Sequence, residues 1–261
     1  MIREQLIKRE AAAQNGFRMR GLGEVSRVEA LSDGVFAFAI TLLVVSLEVP
    51  RTFDQLLVTM RGFLAFAITF AMLFHCWFTQ YKFFRRYALN DNFTIWMTGG
   101  LLFVVLFYVY PLKFVWTMLV NAALGYGRVV EVGGQTVPVV RAEQVATMLA
   151  IYGAGFAAVF LIYALLYWHA YRRRDALGLD ALETHDTRSY LQENALMALV
   201  GLLSAGLALT DTRLSTLLAG LSYWLIGPVQ YVHGRLRGGR RRRLERELAP
   251  AETDTLEAPA G

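Results

Sequence analysis

Residues 27–50 of the chain read RVEALSDGVFAFAITLLVVSLEVP, and this stretch decides the fold class. Its apolar run is long enough to cross a bilayer, because about 30 Å of hydrocarbon at 1.5 Å per residue requires about 20 residues. Asp33 lies inside the run. Ionisable groups in a spanning helix are costly and by default mark function or contact between helices. The stretch therefore predicts a membrane helix that carries the function.

Apolar residues make up 56% of the 261 residues, a share too high for a soluble domain of this size unless much of its surface meets lipid. The sequence therefore predicts an all-α membrane protein. Six apolar runs are long enough to span the bilayer, and they lie at 31–49, 56–79, 93–117, 144–168, 192–210 and 213–233. Pro111 in the third run and Gly227-Pro228 in the last predict a kink or a helix end.

Positive charge is divided unequally between the two sides that six spans define. Of the 26 Lys and Arg residues, 20 lie in the two terminal segments and the second and fourth connections. Because positive residues favour the cytoplasm, both termini are expected there. The expected domains are a cytoplasmic segment at 1–28, a six-helix membrane domain at 29–235 and a basic, then disordered, tail at 236–261. The run GGRRRR at 238–243 predicts an anchor for anionic lipid rather than a nucleic-acid site.

The remaining motifs give little indication of catalysis or of metal binding. The stretch 122–143 places glycines and Pro138 around valines, which predicts an external loop with a small hairpin. The four histidines have no partner at metal-ligand spacing and no catalytic residues converge, so we expect neither an enzyme nor a bound cofactor. Cys76 is interpreted as a small hydrophobe. His75 predicts a buried hydrogen-bonding partner, with a proton-sensitive group as the alternative.

Successive residues of the first span advance by 100°, which divides its surface into two faces. Ser32 and Asp33 lie on one face, where we expect them to bond neighbouring helices, with Arg27 or another arginine as a partner for Asp33. The other face is mostly apolar with one hydroxyl, and it contains Gly34, Phe38, Thr41, Leu42 and Val45. The helix therefore has two distinct roles.

Two interpretations of the apolar face are open. In the first, which the residues alone favour, the face packs against other helices and Thr41 bonds the carbonyl four residues back. In the second, several copies of the helix surround an axis. Phe38, Leu42 and Val45 would then form a hydrophobic constriction and Thr41 a ring of oxygen atoms. Glu48 would raise the cation concentration at the outer mouth.

A family resemblance favours the second interpretation. Arg27, Leu31, Ser32 and Asp33, followed by GVFAFAITLLV, resemble the Arg-x-x-x-Phe-Ser-Asp signature and first helix of the transmembrane protein 175 family. This family contains the endolysosomal potassium channels and their bacterial homologues. The match extends over about 24 residues, and the six-span layout and an aromatic-rich second helix agree with it.

The resemblance implies a potassium-selective channel without a cofactor, in which K⁺ is the permeant ion. A chain with one six-helix repeat is expected to form a homotetramer in the bacterial inner membrane, with the first helix of each subunit lining the pore. By position, the resemblance assigns the apolar constriction to Phe38, further apolar pore positions to Leu42 and Val45, and the potassium-selective hydroxyl layer to Thr41. It places Arg27, Ser32 and Asp33 in the structural network around the pore helix.

Two residues depart from the family pattern. Leu31 replaces the signature phenylalanine, and Phe38 stands where a branched aliphatic residue is usual, so four phenyl rings could narrow the axis. The expected partners are other copies of the chain, potassium ions and membrane lipids, without nucleic acid. The alternative function is a proton-coupled secondary transporter that uses Asp33, Glu29 or His75, although no internal inverted repeat supports it.

Overall fold

A computed structural model of the chain describes residues 17–21, 25–45, 49–125, 129–132, 134–210 and 212–248. Within these ranges, five helices are long and apolar enough to cross a membrane. They are α1 (Arg27–Val45), α3 (Phe63–Tyr87), α4 (Asn92–Ala123), α5 (Val145–Arg172) and α6 (Ala181–Leu209). Each of the first five predicted runs overlaps one of them. The protein is therefore a membrane protein whose candidate spans are all helices.

Two predicted boundaries differ from the structure for local reasons. The run predicted at 56–79 is divided at Gly62 into a short helix, α2 (Phe53–Arg61), and the long helix α3. Helix α6 begins well before the predicted residue 192, because Asp180 and Glu183 form a capping box. The first turns of α6 are polar, so a search for apolar residues overlooks them.

The predicted sixth run, 213–233, is divided in the structure. It contains α7 (Arg213–Leu221), a 3-10 turn (Ser222–Leu225) and the start of α8 (Ile226–Leu248). None of these is among the five candidate spans of the described residues. Pro228 is the third residue of α8, a position in the first turn where its missing N–H needs no partner. The predicted tail begins inside α8, and residues 249–261 lie outside the described residues.

Helix α4 continues through Pro111 to Ala123, so a helix end at this proline is wrong. Two tyrosines bind α5 to α4 at this point. The Tyr152 hydroxyl donates to the Pro111 carbonyl, and the Tyr108 hydroxyl donates to the Tyr152 carbonyl at 2.7 Å. These two bonds join the helices beside the proline, where α4 remains continuous.

The predicted hairpin is confirmed. Strands β1 (Val129–Val132) and β2 (Gln135–Pro138) pair antiparallel, with Val132 opposite Gln135. The turn uses Gly134 at a φ of 77°, a left-handed conformation that glycine adopts without steric cost.

Helices α5 and α6 approach each other closely at two glycines. A Cβ on Gly153 would lie 2.7 Å from the Ala205 backbone nitrogen, and one on Gly201 would lie 2.8 Å from the Ala157 nitrogen. Small residues at such a crossing allow close backbone packing, which drives helix association in membranes. The principal apolar core lies where α1, α3, α4 and α5 meet, and it includes Phe36, Phe83, Leu101 and Tyr167.

Candidate functional site: the two faces of the first helix

One face of α1 is joined to α3 by side-chain hydrogen bonds. Ser32 is 2% exposed, and its hydroxyl donates to the Val28 carbonyl at 2.8 Å and accepts from Gln80 Nε2 at 3.0 Å. Asp33 Oδ1 accepts from Trp77 Nε1 at 2.7 Å. Because Trp77 and Gln80 are three residues apart on α3, they lie on one side of that helix. These two bonds determine which way the rest of α1 faces.

The partners of this face differ from those expected from the sequence. Arg27 is exposed, and the carboxylate of Asp33 is bonded by the indole of Trp77 rather than by an arginine. Sequence reasoning missed Gln80, although a lone amide in an apolar, aromatic helix is a recognisable signal of contact between helices. It also missed the pairing of Glu29, which is buried 3.8 Å from Arg85 Nε.

The opposite face of α1 is apolar and exposed. Phe38 is 56% exposed and Val45 is 71% exposed, Thr41 lies between them, and Gly34 precedes Phe38 in the same row. Leu42 is half-buried beside the row. The Thr41 hydroxyl donates to the Ala37 carbonyl at 2.9 Å. A long apolar face that the described parts of the same chain leave uncovered must meet lipid or another protein surface.

Three further predicted residues lie elsewhere. Leu31 is 60% exposed on the apolar side rather than in the hydrogen-bonded network. Glu48 lies outside the described residues. His75 is exposed on α3, so its predicted role as a buried hydrogen-bonding partner is wrong. Its side chain lines an apolar cavity of about 380 Å³ beside Cys76.

A second uncovered surface runs along α3. Aromatic rings four or fewer residues apart follow one another with centroid separations of 5.2 to 6.2 Å, through Phe63, Phe66, Phe70, Phe74 and Trp77. Phe63, Phe70 and Phe74 are exposed. We call this surface the aromatic row. The aromatic row ends at Trp77, which donates a hydrogen bond to Asp33. This end of the row therefore lies next to α1.

Residues 17–21, here called the N-terminal strap, hold the chain in place just before α1. Arg20 Nη2 lies 2.7 Å from Glu183 Oε2 of α6. The Gly21 N–H donates to the Arg85 carbonyl at 3.0 Å, and Arg85 Nη1 donates to the Gly21 carbonyl at 2.5 Å. A Cβ on Gly21 would lie 2.6 Å from the Phe84 oxygen, so the position requires glycine. The strap therefore joins α1 to the ends of α3 and α6.

The part of the chain that the structure describes holds no group of three His, Cys, Asp or Glu side chains able to bind a metal ion. The arrangement instead combines a polar, hydrogen-bonded face with an uncovered apolar one on the same helix. Such a helix can present its apolar face to an axis while the other face holds it in position.

Several known proteins are similar to this chain. The family profile described as "Endosomal/lysosomal potassium channel TMEM175" matches residues 27–108. A relative from Marivirga tractuosa, named "Potassium channel", is 38% identical over 231 residues, or 87% of this chain and 93% of the relative.

Two solved structures are similar. A crystal structure of a variant of the potassium channel MtTMEM175, in complex with a nanobody–MBP fusion protein, has a TM-score of 0.74 at 36% identity and covers 87% of this chain and 98% of that one. A lysosomal potassium-selective channel TMEM175 homologue from Chamaesiphon minutus shares the fold, with a TM-score of 0.50 at 23% identity over 79% of this chain and 96% of that one. The chain therefore belongs to the family of the endosomal/lysosomal potassium channel TMEM175.

Proposed function

We propose that four copies of this chain form a potassium-selective channel that conducts K⁺ down its electrochemical gradient. The observation that carries the proposal is the exposed apolar face of α1, with Thr41 between Phe38 and Val45. The potassium channel of Marivirga tractuosa, similar along most of its length, supports the choice of ion. In the assembly, α1 of each subunit lines a central pore.

The side chains on this face have complementary roles. Four copies of Phe38 form a hydrophobic constriction that resists wetting, and Val45 and the half-buried Leu42 extend the apolar wall. The Thr41 hydroxyl donates its hydrogen to the Ala37 carbonyl, which leaves its oxygen lone pairs free to face a cation. These oxygen lone pairs would stabilise a cation that has lost part of its hydration shell. Glu48 raises the cation concentration at the outer mouth.

Assembly would also cover the aromatic row. A row of exposed phenylalanines next to the pore helix is suited to contact with a neighbouring subunit, because aromatic side chains bury a large area each. We further propose that α7 and α8 together make the sixth crossing, with both termini in the cytoplasm. The concentration of 20 of the 26 Lys and Arg residues on one side supports this topology and a location in the bacterial inner membrane.

The direct test is ion flux into liposomes that contain the purified protein. We expect wild type to pass K⁺ faster than Na⁺ and Phe38→Ala to raise the flux, because removing four phenyl rings widens the constriction. Phe103→Ala is the matched control, since Phe103 is a similarly exposed phenylalanine on α4. If neither wild type nor Phe38→Ala passed K⁺ or Na⁺, the channel function would be contradicted.

Selectivity is tested with a second matched pair. Thr41→Ala should lower the ratio of K⁺ to Na⁺ flux, because it removes the oxygen ring from the pore. Thr59→Ala removes a hydroxyl from α2, where the half-buried Thr59 donates to the Gln55 carbonyl at 3.0 Å, four residues back, as Thr41 donates to Ala37. We expect no change of selectivity in this control. An equal ratio of K⁺ to Na⁺ flux in wild type and Thr41→Ala would show that Thr41 does not contribute to selectivity.

The proton-coupled transporter is less well supported. Asp33 is bonded by Trp77, and Glu29 is buried beside Arg85. Both contacts favour structural roles for these carboxylates. A transporter would show saturable uptake driven by a pH gradient, which the same liposomes would reveal.

A further inference from the structure

A polar cavity of about 390 Å³ lies where the end of α3 meets α6, α8 and the N-terminal strap. Its wall includes Phe17 of the strap, Arg86 of α3, His185 and Ser189 of α6, and His233 and Arg237 of α8. The cavity belongs to neither face of α1. Its volume falls in the range of about 300 to 1,000 Å³ typical of small-molecule sites.

Several polar atoms in this wall lack partners. Among the described residues, Arg86 Nη1, His185 Nε2 and Ser189 Oγ are shielded from solvent and make no hydrogen bond. The His185 side chain is only 9% exposed. Buried polar atoms are almost always satisfied, because each unsatisfied one costs about 1 to 3 kcal/mol. All three atoms belong to residues that line one cavity, so small side-chain rotations would let a polar occupant satisfy them.

The wall holds its cationic group in a fixed position. The Arg86 guanidinium lies 4.9 Å from the centroid of the Phe17 ring and 4.7 Å from that of the Tyr190 ring. Stacking on two aromatic rings restrains the side chain without neutralising its charge. Arg86 is therefore a positioned cation beside the cavity.

The acidic side chains of the wall are engaged elsewhere. Both oxygens of Asp186 accept from Arg241 Nε at 3.2 Å, and Asp186 also faces His185 Nδ1 at 3.5 Å. Glu193, the second acid, interacts electrostatically with Lys82. Much of their negative charge is therefore already balanced.

Positive charge remains in excess at Arg237. Arg237 makes no ion pair with any described residue, and partial burial together with Arg188 and Arg240 lowers its pKa. Crowding of like charges raises the free energy of the unliganded protein. An anion beside Arg237 would relieve that repulsion.

We propose that this cavity binds a phosphate-bearing anion. Arg86 and Arg237 supply the charge, since a guanidinium group can form two parallel hydrogen bonds to phosphate oxygens. Ser189 and His185 supply further hydrogen bonds after small side-chain rotations. The cavity is larger than one phosphate group, so the ligand is a phosphorylated molecule larger than inorganic phosphate, either a lipid headgroup or a soluble molecule.

Two probes applied to the purified full-length protein distinguish these sources. Pyrophosphate, titrated by calorimetry in detergent, represents a soluble ligand. Phosphatidic acid in phosphatidylcholine vesicles represents a headgroup, and native mass spectrometry counts the phosphatidic acid retained by the protein. Saturable binding of pyrophosphate supports the proposal with a soluble ligand, and selective retention of phosphatidic acid supports it with a lipid. Binding of neither probe would overturn it.

Matched variants locate the binding. Arg237→Gln should weaken binding about tenfold, the usual order of effect for one charge-assisted hydrogen bond. Arg242→Gln removes the same charge from the same helix at an exposed residue outside the cavity wall, and should leave binding unchanged. Equal weakening by both variants would show nonspecific attraction to the arginine-rich helix and overturn the proposal.

A third variant keeps the proposal testable if Arg237→Gln fails to fold. Ser189→Ala leaves the charge and the backbone unchanged and removes one hydroxyl from the wall. We expect it to weaken binding several-fold without lowering the melting temperature. If Arg237→Gln fails to fold, unchanged binding in Ser189→Ala would overturn the site, and weakened binding would support it.

Discussion

The pair α5–α6 and the pair α1–α3 are held together in different ways. Between α5 and α6, Gly153 and Gly201 allow the two backbones to meet closely. Between α1 and α3, the contacts include side-chain hydrogen bonds, from Gln80 to Ser32 and from Trp77 to Asp33. Close packing makes α5–α6 a rigid support. Directed hydrogen bonds set the rotation of α1 and leave apolar faces of α1 and α3 free to meet other surfaces.

The largest expected effect comes from disturbing the close packing. Gly153→Ala places a methyl group 2.7 Å from the Ala205 nitrogen, which forces α5 and α6 apart. We expect a loss of about 3 kcal/mol, the upper range for overpacking, measured as a lower melting temperature in detergent.

Gly206→Ala is the control for this substitution. Gly206 lies on α6, and a Cβ there would meet nothing within 4 Å. It should leave stability unchanged or raise it slightly, because alanine favours helix. Equal melting temperatures for both variants would show that the glycine crossing does not hold the pair together.

The second prediction compares the two faces of α1 by removing one hydroxyl from each. Ser32→Ala leaves the buried Gln80 side chain without its partner, and should destabilise the protein by about 2 kcal/mol. Thr41→Ala loses only a bond within the helix at an exposed position, so a cost below about 0.5 kcal/mol is expected. Thermal unfolding of both variants measures the difference. Similar losses would mean that the two faces are not distinct in the assembled protein.

The smallest expected effect concerns the contact between the start of α4 and the end of α5. Asp91, which caps α4, lies 2.6 Å from His169 Nε2 of α5 and 3.2 Å from Nη2 of Arg173, the residue that follows α5. Partial burial raises the pKa of Asp91, but the hydrogen bonds from the Thr94 N–H and His169 outweigh it and lower the pKa from 3.8 to about 2.

Because the folded pKa is depressed, Asp91 stabilises the protein fully above its unfolded pKa, and this contribution is lost as pH falls from 3.8 through about 2. Asp91→Asn keeps a side chain able to cap α4 and removes the titration. We expect the variant to be slightly less stable near neutral pH and to approach wild type at the acidic end. A stability difference that does not change with pH would contradict this assignment.

The sequence was sufficient to predict part of this arrangement. The signature in α1 predicts the family. Five of the six predicted apolar runs overlap a long helix, because bilayer thickness sets the minimum length of a spanning run. The hairpin followed from its glycines. By contrast, Trp77 and Gln80 could not be assigned to Asp33 and Ser32, since pairing between helices depends on their relative rotation, which one helix cannot specify. The capping box of α6 shows how local hydrogen bonds extend a helix beyond its apolar part.

The N-terminal strap has a practical consequence for engineering the assembly. Single-chain concatemers, in which the end of one subunit is fused to the start of the next, are a common means of fixing stoichiometry. Here Phe17 is buried, Arg20 is paired with Glu183, and Gly21 is bonded to the backbone of Arg85. A linker should therefore join ahead of Phe17, since a fusion at the start of α1 would remove the attachment that orients it.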